Sequence, residues 1–303
     1  MDLNASFANR LTQRCRKVGS HLCVGFDPRP DRIPSELIAA SSSETTAIAD
    51  FGRAVIDLVG PLSAAIKFQS AFFEVFGTSG LQVMDELAAH AQACGLITIA
   101  DIKRADIGST AEAYARASLG TGHKNTAFDA ITVNPWFGSD GVMPFFKRAA
   151  TMGKGVFVLV RTSNPSSAEL LELPLSESSG GGKVFERVAE LVKEWGNSMR
   201  RSDEESPLVA AVVGATHAEE LEHLRAMMPN TWFLVPGVGA QGATMADAAH
   251  AFDSEGSRAL VALSRGITEP WGKGPAPIAW KSAIESAVKQ WNRELDDARK
   301  PSR

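Results

Sequence analysis

Eight short apolar runs, separated by segments with helical periodicity, constrain the fold of this 303-residue chain more than any other feature. Each run has the length and composition of a buried strand. The runs cover residues 21–27, 64–69, 96–103, 130–135, 155–162, 208–215, 231–238 and 259–266. Between them lie amphipathic segments, among which are residues 46–59, 81–94, 183–199 and 217–228. Strands that alternate with helices predict a parallel sheet with helices packed outside it.

Eight β–α units in a chain of this length predict an α/β fold, the TIM (β/α)8 barrel, as a single domain over residues 1–303. A doubly wound open sheet is the alternative, because periodicity alone cannot show that the first strand pairs with the eighth. The glycine fingerprint of dinucleotide-binding folds is absent after the first run, where the chain reads GFDPRP. We expect residues 1–18 to form an extra N-terminal helix that covers the bottom of the barrel.

Charge and composition exclude several classes of partner. The net charge is −4 and the pI is about 5.9, so the chain lacks the basic footprint of a nucleic-acid-binding protein. The N-terminus has no apolar signal-peptide core, and no run approaches the roughly 18 apolar residues that a membrane span needs. The three cysteines fit neither zinc nor redox spacing. We therefore expect a soluble cytoplasmic protein.

Charged residues gather where the predicted strands end. Asp27 ends the first run, Lys67 lies in the second, and Asp101 and Lys103 lie in the third. Side chains alternate along a strand, so Asp101 and Lys103 share the inward face with the apolar residues that precede them. Burying such groups is costly unless they are paired. Because barrel active sites form at the carboxyl ends of the strands, this cluster predicts a catalytic site there.

The last two runs lead into a predicted anion site. After the seventh run comes PGVGAQG, in which Gly237 and Gly239 would let backbone amides approach a ligand closely. After the eighth comes Arg265, which can hold phosphate through two hydrogen bonds. These two loops form the recurrent phosphate site of such barrels.

The segment 163–183 is long and rich in Ser and Gly. Loops of this length are often either functional or disordered. The sequence is compatible with two interpretations of this segment, a disordered spacer and a mobile lid over the site.

The sequence resembles the orotidine 5′-phosphate decarboxylase family over most of its length. The signature Asp-x-Lys-x-x-Asp followed by Ile-Gly-x-Thr stands here as DIKRADIGST at residues 101–110. The strand-one Asp27, the strand-two Lys67, the PGVG loop and Arg265 with its following glycine appear in family order. The spellings GFDPRP, IKFQSAFFE and RTSNP resemble the longer bacterial, type 2-like branch.

The resemblance implies decarboxylation of orotidine 5′-phosphate (OMP) to UMP in pyrimidine biosynthesis, with no cofactor and no metal. Lys103 would protonate C6 of the pyrimidine as carbon dioxide leaves, within a catalytic array of Lys67, Asp101, Lys103 and Asp106. In family dimers the residues that match Asp106 and Thr110 reach the neighbouring subunit's site, so the resemblance also implies a homodimer with shared active sites.

The remaining family roles concern substrate binding. Ser163 or Thr162 would hydrogen-bond the pyrimidine, and Gln241 matches a phosphate-contacting glutamine only approximately. Asp27 and Lys67 would bind the ribose hydroxyls. The 5′-phosphate would be held by Gly237, Gly239 and Arg265.

Two other functions are weighed against this one. The magnesium-dependent sugar-phosphate decarboxylases and synthases of the same superfamily share DxKxxD but place a Glu where this chain has Lys67, a cation poorly suited to ligating a metal. A catalytically silent nucleotide-binding barrel would be expected to have lost members of the charge array, and here every member is present.

Overall fold

A closed barrel of eight parallel strands forms the centre of the molecule. The structure is a computed structural model and describes residues 6–121, 126–200 and 207–299. The strands are β1 Leu22–Phe26, β2 Ala65–Gln69, β3 Ile97–Arg104, β4 Ala130–Val133, β5 Gly155–Arg161, β6 Val209–Val213, β7 Phe233–Val235 and β8 Ala259–Leu263. Each strand pairs with its neighbours in chain order, and β1 pairs with β8. The predicted barrel is thus confirmed and the open sheet is excluded.

Helices surround the barrel as the periodicity predicted. They are α1 Phe7–Val18, α2 Ser35–Ala40, α3 Glu44–Val59, α4 Ala71–Glu74, α5 Gly77–Ala93, α6 Gly108–Leu119, α7 Gly138–Met152, α8 Ala168–Leu171, α9 Val184–Ser198, α10 Ala218–Met227, α11 Met245–Ala249, α12 Arg265–Thr268 and α13 Trp280–Ala298. Within the described ranges, no helix is both long and apolar enough to cross a membrane.

Two apolar layers hold the fold together. The larger one lies between the strands and the helices, and the smaller one fills the barrel interior with side chains from alternate strand positions, such as Ile97, Ile99 and Phe157. Burying such side chains contributes about 1.5–3 kcal/mol each. The inward placement of Ile97 and Ile99 confirms the predicted facing of β3, which aims the next alternate residues at the barrel mouth.

Helix α1 closes the bottom of the barrel, as expected for the leading segment, although residues 1–5 lie outside the described part. Ser6 caps the helix by accepting a hydrogen bond from the amide of Asn9. The ring of Phe7 meets Phe157 edge to face, with 5.9 Å between ring centroids. A Cβ on Gly155 would come within 2.3 Å of the Phe7 ring, so this close approach requires glycine.

The segment 163–183 has local structure of its own. It contains the 3-10 helices Pro165–Ser167 and Glu177–Ser179 with α8 between them. Its second half folds back on itself, since Leu175 N donates to Gly182 O at 2.8 Å and Val184 N donates to Leu173 O at 3.1 Å. These contacts argue against a disordered spacer.

Candidate active site

Asp101 lies at the centre of the charge cluster at the barrel mouth. Its Oδ2 is 2.9 Å from Lys67 Nζ, and its Oδ1 accepts a hydrogen bond from Lys103 Nζ at 2.5 Å. Thr132 Oγ1 on β4 donates to the same Oδ1 at 2.8 Å. The side chains of Lys67 and Asp101 are nearly buried, whereas that of Lys103 is 44% exposed. A buried carboxylate therefore holds two ammonium groups, of which one reaches the open mouth.

A backbone irregularity aims Lys103. The pairing of β3 with β4 shifts between Ala100 and Arg104, and Lys103 has a φ of 44°. A positive φ costs a residue other than glycine about 1–3 kcal/mol, and bulges often re-aim a side chain next to an active site. The amide of Lys103 donates to Thr132 Oγ1 at 3.0 Å, which anchors this conformation. The strain is thus located at the residue that carries the exposed ammonium.

The pairing keeps Asp101 and Lys67 charged. Burial alone would raise the pKa of Asp101, but Lys67 and Lys103 outweigh it and lower this pKa to about 2. Burial alone would lower the pKa of Lys67, yet the attraction of Asp101 and Asp27 raises it above its ordinary value. Asp27 Oδ1 is itself buried, and no hydrogen-bond partner for it lies within the described residues. Such an acceptor, close to a buried ammonium, is ready to bind a ligand hydroxyl.

Asp106 and Thr110 lie beyond the cluster. Asp106 follows β3, where its Oδ1 accepts a hydrogen bond from the amide of Ile107 at 2.8 Å, and Thr110 is exposed in the first turn of α6. No ion pair joins Asp106 to Lys103 among the described residues. Within one chain, the structure brings together three members of the predicted array and leaves the fourth at its edge.

Ser163 and Thr162 are half-buried where β5 ends. Ser163 packs against Gly214, because a Cβ on that glycine would come within 2.7 Å of Ser163 Cβ. Gly214 N donates to Arg161 O at 2.8 Å, which joins the ends of β5 and β6. Both hydroxyl residues therefore lie at the carboxyl end of the barrel.

The predicted phosphate residues also converge. Gly237 and Gly239 have φ of 115° and 73°, conformations that favour glycine. The Gln241 side chain lies over Gly237, with its Oε1 3.2 Å from where a Cβ would be. Gly239 and Arg265 line one open cavity of about 470 Å³, to which Arg32, Lys273, Gln290 and Trp291 also contribute. Arg265 is exposed at this cavity, and no ion-pair partner for it lies among the described residues.

The comparisons with known proteins agree with this geometry. A model of the Orotidine 5′-phosphate decarboxylase / HUMPS family matches residues 20–271. The chain belongs to this family. It is 39% identical to the orotidine 5′-phosphate decarboxylase of Rhodopirellula baltica, over 96% of this chain and 99% of that one. It is 38% identical to the enzyme of Deinococcus radiodurans, over 88% of this chain and 90% of that one.

Solved structures of the decarboxylase family resemble it as well. The Leishmania donovani OMP decarboxylase superposes with a TM-score of 0.76 at 32% identity, over 97% of this chain and 99% of that one. The family and the fold predicted from the residues are confirmed.

Two polar residues at this end of the barrel were not singled out from the sequence, namely Thr132 in the charge cluster and Arg161 behind it. Thr132 lies in an otherwise apolar strand, two positions after Ala130 of the barrel interior. The alternation of side chains could have placed it inside the barrel, but the pairing of β3 with β4 was needed to put it against Asp101. Arg161 ends a buried strand, and its guanidinium is 1% exposed. The sequence shows a charged residue at position 161, but it does not show which residues pair with it.

Proposed function

We propose that the protein is a carboxy-lyase that converts orotidine 5′-phosphate to UMP and carbon dioxide in pyrimidine biosynthesis, using no cofactor or metal. The observation that carries the proposal is the buried Asp101 carboxylate between Lys67 and Lys103 at the barrel mouth. The names of its full-length relatives support the same activity. We place the reaction in the cytoplasm and in one barrel domain over residues 1–303.

In this mechanism Lys103 is the acid. Loss of carbon dioxide from C6 leaves a carbanion that the pyrimidine ring cannot delocalise into a carbonyl, so the protein has to stabilise the developing charge electrostatically. A protonated Lys103, oriented by Asp101, meets that charge and then delivers its proton to C6. The fixed positions of the ammonium groups mean that little reorganisation is needed during the reaction.

Substrate binding is assigned to the residues around this array. Asp27 and Lys67 bind the ribose hydroxyls. The buried Oδ1 of Asp27, which has no hydrogen-bond partner in the described part of the chain, supports this role. Ser163, or alternatively Thr162, hydrogen-bonds the pyrimidine. The 5′-phosphate is held by the amides of Gly237 and Gly239 together with Gln241 and Arg265. Phosphate binding far from C6 supplies energy that orients the base for the reaction.

We further propose a homodimer in which Asp106 and Thr110 complete the partner subunit's site. Large apolar side chains are exposed close to Asp106: Ile107 is 54% exposed, Trp136 71% and Phe137 48%. Exposed apolar surface of this kind marks an interface. Asp106 also lies outside its own chain's ion-pair cluster, which supports a role across such an interface.

The test of the activity is loss of OMP absorbance in the presence of EDTA and without added cofactor, with Lys103→Ala as the comparison. Turnover by wild type and none by the variant is expected. Wild-type activity that disappears with EDTA would favour the magnesium-dependent sugar-phosphate enzymes instead. Tight binding of UMP without turnover would favour a silent nucleotide-binding barrel.

The dimer is tested by mixing Asp106→Ala with Lys103→Ala protein. Shared sites predict that about a quarter of the wild-type activity returns after random subunit exchange, because each heterodimer contains one intact site. Absence of recovery, with exchange verified by mass spectrometry of tagged subunits, would rule out shared sites.

A further inference from the structure

Arg161 is a fully buried charge that the proposed reaction does not use. Its Nε donates to Glu220 Oε2 at 2.7 Å, and its Nη2 donates to Glu172 Oε1 at 2.5 Å. Its Nη1 donates to Ser167 Oγ at 2.5 Å and, more weakly, to Thr162 O at 3.4 Å. The planar guanidinium thus makes directed bonds to several groups at once, which a lysine ammonium cannot reproduce.

A bulge in β5 turns this side chain away from the barrel interior. The pairing of β5 with β6 runs from Leu159 with Val212 to Arg161 with Val213, so one residue of β5 is extra. Val213 belongs to the layer between strands and helices, and the Arg161 guanidinium lies 5.6 Å from the ring of Phe185 on α9. Arg161 therefore lies behind the site, while Ser163, two residues further on, lies at the mouth.

The partners of Arg161 lie on two different parts of the fold. Glu220 is in the first turn of α10, whereas Ser167 and Glu172 belong to the segment 163–183. Lys183, at the end of that segment, is 3.7 Å from Glu172 and 3.6 Å from Glu220. The segment is consequently attached to α10 directly through Lys183, and indirectly through Arg161, which bonds Ser167 and Glu172 as well as Glu220.

The same carboxylates lie near His217, with ligand atoms close enough to share a metal ion. However, Glu172 Oε1 and Glu220 Oε2 already bind the Arg161 guanidinium, and Lys183 Nζ lies 3.7 and 3.6 Å from their other oxygens, so two cations balance the two carboxylates. The cluster is thus built around the chain's own cations.

We infer that Arg161 is a positioning residue that ties the segment 163–183 to α10 and thereby holds Ser163 at the pyrimidine end of the site. The inference rests on the proposed function, in which Ser163 contacts the base. A buried ion pair is weak evidence for stabilisation, because apolar residues of similar volume often serve as well. The proposed contribution of Arg161 is therefore to position the backbone, since it holds the segment 163–183 and α10 in one fixed arrangement next to the substrate site.

The first test is a double-mutant cycle with Glu172→Gln, which removes one charge and keeps the side-chain shape. Glu172→Gln alone is expected to lower kcat/KM by about ten-fold, since small displacements at a site have effects of this size. In a Ser163→Ala background, the same change is expected to lower kcat/KM less than about two-fold, because both changes disrupt one interaction. Independent, multiplying effects, or no effect of Glu172→Gln alone, would overturn the inference.

The second test needs no activity. Arg161→Lys is expected to speed amide hydrogen exchange in residues 163–183 while the exchange of the strands stays as in wild type. The matched control is Arg225→Lys, because Arg225 is also a buried guanidinium, 7% exposed, but bonds backbone carbonyls at the opposite end of the barrel. That control is expected to leave exchange in residues 163–183 and kcat/KM per folded molecule unchanged.

The two tests separate this inference from the proposed function. If wild type does not turn over OMP, the proposed function fails, and the exchange experiment still decides whether Arg161 holds the segment. If wild type is active but Arg161→Lys leaves exchange in the segment unchanged, the positioning role is wrong and the function stands.

Discussion

The two ends of the barrel each bury charged groups, and they do so differently. At the bottom, Asp129 Oδ1 accepts a hydrogen bond from Arg10 at 2.7 Å, and its Oδ2 accepts two from the amide and hydroxyl of Thr98 at 3.0 Å each. Arg10 also donates to Gly153 O at 2.8 Å. At the mouth, Asp27 Oδ1 has no partner among the described residues, and Lys103 is half-exposed in a strained backbone conformation.

This difference separates structural charge from functional charge. Buried polar groups in folded proteins are normally satisfied by hydrogen bonds, and both carboxylate oxygens of Asp129 meet that rule. The mouth departs from it at the positions where a ligand would supply the missing partners. We therefore expect changes at the bottom to act on stability and changes at the mouth to act on turnover.

The largest expected effect is that of Lys103→Ala at the mouth. Loss of the acid and of its positive charge is expected to lower kcat by at least about 10³-fold. The free energy of unfolding should change by less than about 1 kcal/mol, because the ion pair is partly exposed and Asp101 keeps Lys67. Steady-state kinetics and urea unfolding measure the two quantities. A large loss of stability would contradict the assignment of Lys103 to turnover and not to folding.

At the bottom, Asp129→Asn should show the opposite behaviour. It leaves the buried Arg10 without its counter-charge, and breaking a buried pair in this way costs about 3–5 kcal/mol. Urea unfolding is expected to show this loss, while kcat per folded molecule stays within about two-fold of wild type. A drop in kcat comparable to that of Lys103→Ala would mean that the bottom cluster also serves catalysis.

Acid should weaken the two ends in different pH ranges. At the bottom, burial and the nearby Arg299 lower the pKa of His21 from 6.5 to about 4, so the unfolded chain binds a proton before the folded one does. Stability is then fully present above pH 6.5 and falls by about 3 kcal/mol as the pH drops through 4. Urea midpoints from pH 7 to 4 measure this loss, and in His21→Asn it should be largely absent.

The mouth should respond at lower pH. Asp101 has a folded pKa of about 2 against 3.8 for the free group, so its contribution of about 2 kcal/mol is present above pH 3.8 and is lost as the pH falls through 2. Acid unfolding of His21→Asn, with and without Asp101→Asn, isolates this second range. If both variants lost stability over the same pH range, the assignment of the lower range to Asp101 would be wrong.

The smallest effects are expected from a matched pair of threonines. Thr132→Val removes the hydroxyl that orients Asp101 and anchors the Lys103 amide, so kcat/KM should fall by about ten-fold. Thr98→Val removes the equivalent hydroxyl beside Asp129 and should lower stability by about 1 kcal/mol with kcat/KM unchanged. If the two substitutions lowered kcat/KM equally, the proposed contrast between a catalytic mouth and a structural bottom would be wrong.

The sequence by itself determined the order of strands and helices and the family. It also predicted a barrel, but only the pairing of β1 with β8 in the tertiary structure excluded an open sheet. Period-two and helical patterns report which face of each element is apolar, and this requires no knowledge of neighbours in space. The same local reasoning placed Asp101 on the inward face of β3, where the structure puts it. Lys103 meets Asp101 from a backbone with a φ of 44° within the register shift, which alternation alone does not predict. Glycine positions and strand ends likewise predicted the convergence of Gly239 and Arg265 on one cavity.

Only the tertiary structure decided which charges are partners. The hydroxyl of Thr132 meets Asp101 because β3 and β4 pair in a shifted register, and Arg161 faces the helices because β5 contains a bulge. Asp129 was not recognised at all, since its partner Arg10 is 119 residues away in the chain. Pairing energies depend on distances between atoms remote in sequence, and a one-residue shift in register changes the side chains that meet.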